Sequence, residues 1–114
     1  MHEYSIVQTL IEQCEIQARQ HGASRILSLE VKVGVLSGVE PQLLETAFET
    51  FRQQSPLCGE AQMTLQIQPV EVFCRACGRH SVLQQHHYVC PQCASQAIDI
   101  TDGDGLFLMQ LEME

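Results

Sequence analysis

The chain has no tryptophan, and two tyrosines and four phenylalanines are its whole aromatic complement. Only six Lys and Arg stand against fourteen Asp and Glu, giving a formal net charge of −8. Affinity for a phosphate backbone depends chiefly on Lys and Arg, so this balance excludes nucleic acid as the main partner and suits cations or metal ions. No apolar run approaches the roughly 20 residues that span a bilayer, so no membrane span is expected. The start, Met1-His2-Glu3-Tyr4-Ser5-Ile6, lacks the basic segment, apolar run and cleavage site of an export signal. A cytoplasmic protein is therefore expected, and its six cysteines are not read as a secreted disulfide framework. Also missing are a nucleophile–base pair, a phosphate-binding loop and an open three-ligand zinc site, which argues against an enzyme.

What is present points to a packed protein. With 114 residues, 45% hydrophobic and 18% charged, the chain matches one compact body with a small appendage. From Tyr4 to about His21, Val7, Leu10, Ile11, Cys14 and Ala18 recur at three- and four-residue intervals, the stripe of an amphipathic helix that Gly22 ends. Ser5-Ile6-Val7-Gln8 matches a capping box at its start. Leu27, Leu29, Val31, Val33 and Val35 alternate with Ser28, Glu30, Lys32 and Gly34 as in a half-buried strand. Pro41 opens a second helix with an apolar stripe of Leu43, Leu44, Ala47, Phe48 and Phe51. Met63, Leu65 and Ile67 mark a second strand, and Phe107, Met109, Leu111 and Met113 the inward residues of a third. Strand, helix and strand make a right-handed βαβ unit with parallel pairing. The expected fold is α+β, a small three-stranded mixed sheet with two helices. Residues 1–71 and 98–114 form this body, and 72–97, where both periodicities fail, form an inserted four-cysteine module.

Cys74-Arg75-Ala76-Cys77 and Cys90-Pro91-Gln92-Cys93 carry the strongest chemical signal. Two residues between thiolates allow one tight turn to place both sulfurs on a metal, and two such turns close a tetrahedral site. A segment this short cannot bury enough apolar surface to hold itself together, so a structural Zn(2+) would contribute its folding energy. The alternatives are two disulfides, a redox pair, or iron on rubredoxin-like knuckles, although the aromatic-rich core of that last family is missing. His80, His86 and His87 lie between the pairs, where they could replace a thiolate or form a weak second site; the plainer reading is that they are solvated, since four sulfurs already saturate zinc. Cys14 and Cys58 read as core residues. At the chain start, the terminal amine, the His2 amide nitrogen and the His2 imidazole can close adjacent chelate rings. Planar nitrogen donors of this kind suit nickel(II) or copper(II), with Glu3 as a further donor.

Met1-His2-Glu3 directly before a helix, the segment from Val33 to Pro41, Ala47-Phe48-Glu49 and the late CxxC pairs together resemble the HypA/HybF family of hydrogenase nickel-incorporation proteins. The resemblance spans essentially the whole chain. It implies a nickel metallochaperone, with His2 and Glu3 as nickel residues, Cys74, Cys77, Cys90 and Cys93 as zinc ligands, and Ni(2+) as cargo. It further implies a HypB-type GTPase and a [NiFe]-hydrogenase large-subunit precursor as partners, and leaves room for a homodimer. Glu40 is a further candidate nickel contact, its plainer role being a carboxylate at a helix N-terminus. The competing reading is a zinc-ribbon protein-interaction module with no nickel role.

Overall fold

The computed structural model describes residues 3–84 and 87–114. In chain order these form α1 (Glu3–Gln20), β1 (Ile26–Gly34), α2 (Pro41–Phe51), a 3-10 turn (Arg52–Gln54), β2 (Gln62–Gln68), β3 (Val70–Cys74), β4 (His80–Leu83), β5 (Ile98–Asp102) and β6 (Leu106–Met113). Two three-stranded sheets result, ordered β2-β1-β6 and β4-β3-β5. The first is the expected mixed sheet, with β1 parallel to β2 and antiparallel to β6. The second is wholly antiparallel: β3 runs into the 72–97 segment, β4 lies inside it and β5 follows it.

The stripe read from α1 is the buried one: Val7, Leu10, Ile11, Cys14 and Ala18 all face the core. The helix begins at Glu3, so Ser5 lies inside its first turn and its carbonyl accepts the Thr9 hydroxyl at 3.1 Å, in place of the expected capping box. Its end is a Schellman motif. Ala23 N–H donates to Ala18 O at 2.8 Å and Gly22 N–H to Arg19 O at 3.2 Å, with Gly22 at φ 65°. On α2, Leu44, Ala47 and Phe48 are buried and Leu43 is exposed. The two helices meet through an edge-on contact of Tyr4 and Phe51, ring centroids 5.2 Å apart. Ser55 fixes the loop below them. Its hydroxyl donates to Glu15 Oε2 at 2.5 Å and accepts from the amides of Leu57 and Cys58.

Two of the strands differ in phase from the sequence pattern, each for the same reason. Opposite β6, β1 shifts register between Ile26 and Ser28, so Leu27 turns outward and Ile26 takes its buried place. A second shift pairs Glu30 with Gln110 and Val31 with Leu108, passing over Met109. Leu106, Leu108 and Leu111 consequently pack on the core, while Phe107 and Met109 are exposed. One extra residue in a strand exchanges its two faces from that point on.

The molecule is long, 52 × 27 × 16 Å, with a radius of gyration of 17.3 Å against about 13 Å for a compact chain of its size. The second sheet has its own small core of Val70, Val72 and Leu83, against which Leu36 and Ile98 pack. Leu36 belongs to the turn after β1, so one side chain from the first body plugs the second. At the junction Leu36 N–H donates to Gly103 O and Gly34 N–H to Gly105 O, both at 2.8 Å. A Cβ on Gly34 would lie 2.3 Å from Gly103 O, and Gly103 itself adopts φ 97°. Beside this contact Lys32 Nζ reaches Asp102 Oδ2 at 2.8 Å and lies over the Phe107 ring.

The junction predicts two measurable effects. Gly34→Ala should lower stability by at least about 2 kcal/mol, because backbone must move to admit the methyl group; an unchanged denaturation midpoint would refute the tight contact. The Asp102 carboxyl is held below its ordinary value by the Lys32 hydrogen bond, then by the Gly103 amide. A lowered carboxylate stabilises the fold above its unfolded pKa of about 3.9 and loses that contribution as pH falls through the lower folded value. The stability advantage of the native chain over Asp102→Asn should therefore be flat above about pH 5 and shrink below about pH 4.

Candidate metal centre

β3 runs straight into the first cysteine, and β4 leaves three residues after the second. This hairpin, closed by Phe73 opposite His80, presents Cys74 and Cys77 at its tip. The second knuckle, Cys90 to Cys93, stands against it and is followed by β5. The knuckles repeat one backbone design. In the first, Cys74 N–H donates to Arg79 O at 2.9 Å, Gly78 N–H to Cys74 O at 2.8 Å, and Cys77 N–H to the Cys74 sulfur at 3.4 Å. In the second, Cys90 N–H donates to Ser95 O and Ala94 N–H to Cys90 O, both at 2.8 Å, and Gln92 N–H to the Cys90 sulfur at 3.4 Å. The residue after each closing cysteine is left-handed, Gly78 at φ 73° and Ala94 at φ 64°. Glycine meets that demand freely, whereas the alanine does so at a cost the sequence pattern did not signal. Arg79 ties the two knuckles together through Gln92 Oε1 at 2.9 Å.

All four sulfurs lie within 4.8 Å of one another, the only such group of three or more metal-ligating side chains among the described residues. The shortest separations are 3.6 Å for Cys74–Cys93 and 3.7 Å for Cys77–Cys90. Tetrahedral ligation at a metal–sulfur distance of about 2.3 Å requires sulfurs about 3.8 Å apart. The pocket therefore fits a tetrahedral soft cation, and the fit extends to charge. Hydrogen bonds from the Cys77 and Ala76 amides bring the Cys74 thiol down to about 7. At Cys90 burial opposes ionisation, but the Cys93 and Gln92 amides outweigh it and the value falls. Cys77 and Cys93 move up, Cys93 to about 12: there the Ser95 amide favours the thiolate, but the Cys74 sulfur and burial prevail. In each knuckle one sulfur is shifted toward the thiolate, Cys74 in the first and Cys90 in the second, and a bound cation would displace the protons held by their neighbours. Cys74 and Cys90 are buried, while Cys77 and Cys93 reach the surface.

Neither His80 nor His87 joins this group. His80 stacks on Phe73 at 5.0 Å between ring centroids, His87 is exposed, and His86 lies outside the described residues. Cys14 and Cys58 are fully buried in the main core, as expected, and the structure adds that they face each other. The two thiols act on each other's ionisation: Cys58 pushes the Cys14 thiol up, and Cys14 brings Cys58 down to about 7. Nothing in the sequence signalled this pair, since one cysteine is on a helix and the other in a distant loop.

At the other end of the chain, Met1 and His2 lie outside the described residues. Glu3 opens α1 half-buried, and its Oε2 accepts the Glu40 N–H at 3.2 Å. Glu40 is the residue before α2, and no side-chain hydrogen bond from it caps that helix. Glu40, exposed, stands at the start of α2 as expected, and Glu3 brings a second carboxylate there from across the fold. The two acidic candidates are brought together.

Among the described residues no helix is long and apolar enough to cross a membrane. Residues 1–113 match the family model described as "Hydrogenase/urease nickel incorporation, metallochaperone, hypA". The hydrogenase maturation factor HypA of Shewanella baltica (strain OS185) is 51% identical over 114 residues, covering 100% of this chain and 97% of that one. The factor of the same name from Campylobacter jejuni is 40% identical over 114 residues, covering both chains in full. The solution structure of the Ni metallochaperone HypA from Helicobacter pylori superposes with a TM-score of 0.73 at 37% identity, over 99% of this chain and 97% of that one. A second structure, described as the solution structure of HypA protein, gives 0.78 at 36% identity over 100% and 97%. With its α+β body, its four-cysteine knuckles and a match along nearly its entire length, the chain belongs to the HypA family of nickel metallochaperones.

Proposed function

We propose that this chain binds Ni(II) at its amino terminus and releases it during maturation of a [NiFe]-hydrogenase, with a zinc ion held permanently by Cys74, Cys77, Cys90 and Cys93. The observation that carries the reading is the family match, which begins at residue 1 and so includes His2 and Glu3. On this reading residues 1–71 and 98–114 are the nickel-handling body and 72–97 the zinc module, working in the cytoplasm. A HypB-type GTPase and the hydrogenase large-subunit precursor are its partners, and the protein acts as a carrier, not a catalyst.

The chemistry of the two sites differs as their tasks do. The terminal amine, the deprotonated His2 amide and the His2 imidazole offer nickel a planar set of nitrogen donors. Glu3 completes the set through its amide nitrogen, because its carboxylate is engaged with the Glu40 amide. A set at the end of a chain leaves an incoming ligand a side from which to attack. Zinc on four thiolates has no open position, and its contribution is to hold the knuckles folded.

Three outcomes test this. Elemental analysis of purified protein should give about one zinc per chain; iron in its place would refute the assignment. Cys93→Ser should lose zinc and broaden the NMR signals of the knuckles while those of α1 and α2 persist, since the main core is built without the module. His2→Ala, or a short extension before Met1, should abolish specific nickel uptake in calorimetric titration without changing zinc content or thermal midpoint, because side chains at a chain terminus generally contribute little packing. Wild-type nickel affinity in both would leave the zinc-ribbon interaction module as the better reading.

A further inference from the structure

The two edges of the first sheet are built differently. At β6 the ladder is broken by the bulge at Met109 and the strand carries Glu112, both common protections against further pairing. At β2 neither is present. Gln62–Gln68 contains no charge, proline or glycine, and it pairs with Ser28–Gly34 in unbroken register. Its far side has no strand partner among the described residues. In a parallel strand, alternate residues turn both N–H and C=O outward, so β2 offers a regular row of unpaired backbone groups about 20 Å long. Gln62, Thr64, Gln66 and Ile67 are exposed along it.

A groove of about 690 Å³ runs beside this edge, between α2 and β2. Phe48 and Met63 line its apolar part, and Glu45, Glu49, Gln42 and Gln53 its polar part. Glu49 is paired with Arg52 at 2.9 Å, whose guanidinium also reaches the carbonyls of Gly59 and Ala61. Glu45 has no ion pair among the described residues. The groove is therefore negative in a chain that is already at −8.

We propose that the outer edge of β2 and this groove form a docking site for an extended, Lys- or Arg-bearing segment of a partner protein, which adds to the sheet as a fourth strand. Backbone pairing supplies affinity and the alternate side chains supply selectivity, as in other strand-addition interfaces. On the side facing α2, a lysine stem would lie over Met63 and carry its ammonium to Glu45. A second copy of this chain is disfavoured at this edge, because two acidic α2 surfaces would be brought together. The site is independent of nickel and zinc, so its failure would leave the metal-carrying function untouched.

The test uses the full-length, zinc-loaded, isotope-labelled chain and three synthetic nonapeptides: alternating Lys-Val, alternating Glu-Val, and Lys-Val with backbone N-methylation on alternate residues. The Lys-Val peptide should shift signals of Gln62–Gln68 and of α2, and slow hydrogen exchange at the outward amides of β2. Glu45→Lys should weaken its binding about tenfold without altering zinc content. The Glu-Val and N-methylated peptides should not bind. The proposal is overturned by absence of binding at millimolar peptide, by equal binding of the N-methylated peptide, which would make the attraction purely electrostatic, or by shifts that map to β6.

Discussion

Two glycines with no room between them hold the molecule in one piece. The chain passes between its two sheets at Pro69 and again at Gly103 to Gly105, and it is the approach of Gly34 to Gly103 that keeps those crossings closed. Because β1 is the central strand of the first sheet, its end at Gly34 is firmly placed. From there Leu36 enters the second core and Lys32 reaches Asp102, so packing and charge both reinforce a contact that backbone hydrogen bonds define. The orientation of the cysteine knuckles thus depends on a strand whose remaining residues belong to the helix-covered body.

How far the sequence disclosed this fold depends on whether the signal was local. The buried face of α1 was legible because nothing interrupts its period from Val7 to Ala18. The βαβ unit was legible because two alternating strands enclose a helix with proline at its first turn. The inward face of β6 was not, since the bulge at Met109 arises from pairing with β1 at the opposite end of the chain. The second sheet escaped notice for another reason. Only β3 alternates, with Val70, Val72 and Cys74 inward, and five residues are too short a run to stand out, while β4 and β5 are as short and bury little.

The candidate site divides in the same way. Four cysteines in two pairs announce a tetrahedral centre because spacing within each pair is itself the geometry, and the structure adds the amides that favour thiolate at Cys74 and Cys90. The Glu3–Glu40 contact and the facing thiols of Cys14 and Cys58 are tertiary facts with no linear trace. The role of His2 rests on resemblance and coordination chemistry.

The two knuckles are alike in hydrogen bonding but unlike in ease. Gly78 occupies its left-handed conformation without penalty, whereas Ala94 holds the same conformation at a cost of about 1 kcal/mol or more. The backbone strain falls on the second turn alone, so of two knuckles with the same hydrogen-bond plan the one that carries Cys90 and Cys93 is the weaker in its own backbone.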